Sequence, residues 1–143
     1  MTLGRLMQYL QVKKKAEKNR AENWPYPNVN YAEFEAAIRQ AEQMLQKLGA
    51  KYVEDSENRV TWIWGNGASG SEEAQQKVFQ YGNGFYRVGS VYFSEKPFIV
   101  LEYADKISGP YADAEPFPFD LPEKEFEQEI RYSLGIGPYP ECG

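Results

Sequence analysis

Residues 85–103 read FYRVGSVYFSEKPFIVLEY, two runs rich in aromatic and β-branched residues separated by Ser94-Glu95-Lys96. That composition predicts two strands, at about 85–93 and 97–103, and so short a connection forces them to be antiparallel neighbours. Side chains alternate across a strand, so Tyr86, Val88 and Tyr92 share one face of the first, and Ile99, Leu101 and Tyr103 one face of the second.

Working upstream, Gly82-Asn83-Gly84 is a turn signal that joins a strand at about 76–81 to the first run. Before it, 51–54 and 59–64 read as a hairpin closed by Asp55-Ser56-Glu57-Asn58. Residues 71–81 admit a second reading, a helix capped by Ser71 with Glu72 and Glu73 in its first turn. Either way the prediction is an antiparallel, meander-like sheet of four or five strands.

The sheet is flanked by predicted helices. Asn30 as N-cap, Glu33 three residues later and Gly49 as a left-handed stop bound a helix over 31–48. Tyr31, Phe34, Ile38, Met44, Leu45 and Leu48, with Ala37 and Ala41, form its apolar face, which is expected to pack across the sheet. An earlier helix is predicted to start at Thr2, with Leu3, Leu6, Met7 and Leu10 on one stripe, and to continue as a projecting polar stretch to residue 22. Trp24-Pro25-Tyr26-Pro27 ends it. Residues 108–121 carry Pro110, Pro116 and Pro118 among Tyr111, Phe117 and Phe119, so they read as irregular chain lying over the core. Pro122 then opens a last helix with Phe126, Ile130 and Leu134 four apart, ended by Gly135. The reading is one α+β domain over 1–143: two N-terminal helices, the sheet, one C-terminal helix and a loose tail at 137–143.

The 143 residues, 42% apolar and 15% aromatic, suffice for a core without metal or disulfide. The single cysteine, Cys142, allows neither an intrachain disulfide nor a cysteine-built metal site, which suits the cytoplasm. No stretch has the continuous apolar length of a signal peptide or membrane span. Histidine is absent, which removes Ser-His and Cys-His nucleophile pairs and histidine-ligated zinc. No mutually supporting acid, base and nucleophile remain, so the chain reads as non-catalytic, with no cofactor and no metal.

Charge is unevenly spread. Residues 1–20 carry +5 against a net charge of −5, leaving −10 on the rest, and nine acids face two lysines between Glu102 and Glu129. An acidic body repels phosphate and argues against nucleic acid as partner. Lys13, Lys14, Lys15, Lys18 and Arg20 lie beyond the apolar stripe and so make no basic amphipathic membrane helix. They suit solvent or an acidic protein partner, including a second copy of this chain presenting residues 122–134.

Three constellations bear on function. Gly65-Asn66-Gly67-Ala68-Ser69-Gly70 matches the dinucleotide fingerprint literally, but Glu72 and Glu73 would oppose a pyrophosphate there, so no nucleotide binding is expected. Trp62, Trp64, Tyr86 and Tyr92 form an aromatic set that reads as core or as the lining of a small-ligand pocket between sheet and helices. Asp113, Glu115, Glu123 and Glu127 offer an acidic surface to a basic protein, the mode of an inhibitor or immunity-type binder. Partner binding through these acids is the leading expectation, and a ligand sensor or carrier the alternative.

Overall fold

The computed structural model describes residues 24, 26–63, 69–93 and 95–136, with the backbone alone over 57–63 and 69–75. The helix expected over 2–22, the basic residues within it, Trp64, the glycines before Ser69 and the tail from 137 lie outside the described residues.

Helix α1 spans Tyr31–Lys47. Its start is fixed by Asn30, whose side chain accepts from the backbone N–H groups of Ala32 (2.8 Å) and Glu33 (3.3 Å), two of the donors that a helix start leaves unpaired. Its end is fixed at Gly49, whose φ of 107° is open to glycine and costly for other residues. Phe34, Ala37, Ala41, Met44 and Leu45 are buried, as the periodicity requires, whereas Tyr31, Ile38 and Leu48 are half-buried at the margins. Asn30→Ala is expected to lower unfolding free energy by about 1 kcal/mol, read as a shift of the urea midpoint at unchanged slope.

The sheet is antiparallel throughout and contains β1 (Lys51–Ile63), β2 (Ser69–Tyr81), β3 (Gly84–Tyr92), β4 (Pro97–Ala104) and the two-residue strands β5 (Ala112–Asp113) and β6 (Phe117–Pro118). Their order is β1-β2-β3-β4-β5, with β6 also paired to β4. Helix α2 (Glu123–Leu134) follows, with Gly135 at φ 75° as its left-handed cap. The class and the antiparallel sheet agree with the sequence reading.

One local expectation is overturned, and the choice left open over residues 71–81 is decided for strand. The hairpin turn at Asp55-Ser56-Glu57-Asn58 does not form: β1 runs straight through it, with Asp55 opposite Lys77, Ser56 opposite Gln76 and Asn58 opposite Ala74. Residues 71–81 are strand, not helix, and supply that partner. A turn propensity worth a fraction of a kcal/mol per residue yields to a continuous ladder in which each residue also gains cross-strand contacts. Gly70 thus lies in a strand opposite Trp62, and the glycine run is followed by β-structure rather than by the helix N-terminus on which a pyrophosphate would sit.

Helices α1 and α2 cover one face of the sheet. Phe79 of β2, Tyr86 and Val88 of β3, Ile99 and Leu101 of β4 and Phe117 of β6 join Phe34, Leu45, Phe126 and Ile130 in one core. The chain entering α1 closes this core's edge: Trp24 donates its indole N–H to the Val29 carbonyl (2.9 Å), and the Tyr26 hydroxyl donates to the Phe93 carbonyl (2.6 Å). Burial, with the neighbouring Tyr92, pushes the Tyr26 phenol up to about 12, so it remains a donor at physiological pH.

The opposite face is also partly covered, since Val78 and Val100 on it are fully buried. Residues 105–116 form a strap between β4 and β6 that folds back over this face and contains β5.

Candidate functional site

Register and chain reversal assemble two polar constellations that share Asp113 of β5. The first lies under the strap. Arg87 of β3 sits directly across from Glu102 of β4, and its Nε donates to Glu102 Oε1 at 3.1 Å, with side chains only 13% and 19% exposed. Gln76 of β2 donates from Nε2 both to that carboxylate oxygen (3.0 Å) and to the Val88 carbonyl (3.1 Å). The β2–β3 ladder spans only Val78–Tyr81 against Gly84–Arg87, so the Gln76 amide occupies the fork where the two strands part. From the strap, the Tyr111 ring covers the Arg87 guanidinium at 3.7 Å, and its hydroxyl donates to the Ile107 carbonyl (2.8 Å). Gly89 leaves the room required, since a Cβ there would stand 3.1 Å from Glu102 Cδ.

This network is electrostatically unbalanced. Burial raises the Glu102 carboxyl above its usual range and the Asp113 charge raises it further, while Arg87 and the Gln76 hydrogen bond pull it back without cancelling the rise. Asp113 is the residue of β5 directly opposite Glu102. Like charges so placed weaken a strand pair.

The second constellation is the acidic surface. Asp113 on β5, Glu115 in the β5–β6 connection and Glu123 at the start of α2 are all exposed. Among the described residues none of the three has an ion-pair partner. Glu127 differs: it is half-buried and pairs with Lys47 of α1 (3.4 Å) and Arg131 (3.8 Å), tying α2 to α1. Glu129, one of the glutamates at every second position of α2 that reads from sequence as a solvated face, belongs with the acids, because burial and then the Glu115 charge push its carboxyl up.

Of the aromatic set, only Tyr86 and Tyr92 have described side chains, and these two lie apart. Tyr86 is a core residue, 7% exposed, with its ring 5.2 Å from that of Tyr103. Tyr92 lies six residues further along β3, roughly 20 Å away. There it packs against the rings of Trp24 (6.2 Å) and Phe34 (6.4 Å). Trp64 and the Trp62 side chain lie outside the described residues, although the Trp62 backbone pairs with Gly70.

No family model matches the chain, no curated protein matches its sequence, and no solved structure matches its fold. The functional reading therefore rests on geometry and charge alone. Among the described residues no His, Cys, Asp or Glu group of three or more is placed to hold a metal ion, and no helix is long and apolar enough to cross a membrane.

Proposed function

We propose that this protein is a non-catalytic binding protein that engages a basic protein partner through the surface of Asp113, Glu115, Glu123 and Glu129. The observation that carries this reading is that Asp113, Glu115 and Glu123 are all exposed and have no ion-pair partner among the described residues, with the Glu115 charge also acting on Glu129. A fold that held these carboxylates only for solubility would gain by spacing them apart or pairing them with cations, as α2 does with Glu127 and Arg131. Uncompensated charge of one sign is relieved by an incoming cationic surface and speeds its encounter.

The test begins with capture of a partner from the native cell by the immobilised chain, followed by association kinetics with the purified partner. Charge reversal at Asp113, Glu115 and Glu123 is expected to slow association by about tenfold or more at low salt. Wild-type association should itself slow as salt shortens the Debye length below about 8 Å. Because the reversed residues are exposed, the unfolding midpoint should hardly move. Association indifferent to both salt and reversal would defeat the reading. Glu127 is left out of the reversal set, since a lysine there would oppose Lys47 and confuse binding with stability.

A further inference from the structure

We infer that the strap of residues 105–116 is a pH-dependent latch, pinned to the back of the sheet in acid and loosened at neutral pH by repulsion between Glu102 and Asp113.

Besides the Tyr111 ring on Arg87, backbone pairing holds the strap by little. Its strand β5 has only two residues, paired as Asp113 opposite Glu102 and Ala112 opposite Tyr103. Just beyond, the Ala114 N–H donates to the Leu101 carbonyl at 2.9 Å. One of its two cross-strand pairs thus sets carboxylate against carboxylate. A strand this short has no further rungs to absorb the cost, so local opening lies within thermal reach while the four longer strands stay closed.

The groups facing Glu102 set the direction of the response. Arg87 from β3 attracts its ionised form, Gln76 from β2 donates to it, and Asp113 from β5 repels it. Tyr111 from the strap lies on the far side of Arg87, with the charge of Glu54 from β1 also acting on that phenol. Among the described residues the Arg87 guanidinium pairs with Glu102 alone, so the carboxylates directly across the β4–β5 ladder are left in conflict. The raised carboxyl of Glu102 takes up a proton at higher pH than an ordinary glutamate would. Once neutral it no longer repels Asp113, and the rung closes. The strap carries Asp113 and Glu115, so its closure would also fix the position of two acids of the proposed binding surface. The latch itself requires no partner and is measured without one.

The measurement is amide exchange by NMR, corrected for the intrinsic pH dependence, with the Ala114 amide as reporter. The control is the Ala50 amide, which donates to Leu45 at the end of α1. Between about pH 4 and about pH 7.5 the protection of Ala114 is expected to fall two- to fivefold, the scale of one cross-strand charge pair, while Ala50 does not follow it. Asp113→Asn removes the repulsion at an exposed position and should hold Ala114 at its acid-side protection across the range. Protection of Ala114 that is independent of pH, that keeps the wild-type slope in Asp113→Asn, or that moves in parallel with Ala50, would each overturn the latch.

Discussion

Phe34→Ala is expected to lower the unfolding free energy by about 3–5 kcal/mol, a large part of the total stability of a domain this size. Phe34 is 1% exposed and sits where three parts of the chain meet. Its ring lies 5.4 Å from Trp24 of the entering segment, 6.4 Å from Tyr92 at the end of β3 and 5.5 Å, edge-on, from Phe119 before α2. Truncation removes the transfer free energy of the ring and opens a cavity that these rigid neighbours cannot collapse to fill. The midpoint of urea unfolding should fall with the slope unchanged, because the surface exposed on unfolding is nearly the same. A loss below about 1 kcal/mol would show that the three segments do not depend on this ring for their packing.

The second large effect is expected beneath the strap. Arg87→Met keeps the apolar stem and deletes the charge, leaving Glu102 largely buried, across from Asp113, with Gln76 as its remaining donor. Removing one partner of a buried ion pair costs ~3–5 kcal/mol, and the partial exposure of both groups places this case toward the lower end. Loss of the guanidinium under the Tyr111 ring adds to it.

The pH dependence identifies the cause. In the wild type Glu102 titrates above its unfolded value, so within that window the folded chain holds more protons and stability falls as pH rises. Arg87 is the largest influence pulling Glu102 back, so its removal pushes the carboxyl higher and extends the window toward neutrality. The deficit of Arg87→Met relative to wild type should therefore be greatest at about pH 7 and shrink toward about pH 4 as Glu102 takes up its proton. Denaturant unfolding at the two pH values measures this. An equal deficit at both would assign the effect to lost packing rather than to the stranded carboxylate.

How far the sequence shows this site depends on register. Arg87 and Glu102 stand out as charges within apolar runs, but pairing them requires the exact turn. Reading Ser94-Glu95-Lys96 as a three-residue connection pairs Phe93 with Pro97 and sets Arg87 opposite Tyr103. In the structure Tyr92 pairs with Pro97 across a connection of residues 93–96, and the shift of one residue brings Arg87 opposite Glu102. Because strand side chains alternate, one residue of turn length decides which groups meet. Asp113 and Glu115 were visible as exposed acids, whereas the Glu115–Glu129 conflict was not, since it joins the β5–β6 connection to α2 through space.

What the sequence determined by itself was whatever depends on neighbours within about four residues. The start of α1 at Asn30 and its stop at Gly49, the apolar stripe between them, the α2 helix ended by Gly135 and the antiparallel pairing around 94–96 all rest on hydrogen bonds or dihedral preferences that act locally. Tertiary structure alone decided that β1 runs unbroken through Asp55-Ser56-Glu57-Asn58 and that residues 71–81 extend as its partner. In isolation residues 55–58 favour a turn, and residues 71–81 admit either strand or helix. Each becomes strand because its backbone donors and acceptors are satisfied by the other, so neither assignment can be read without the ladder that joins them.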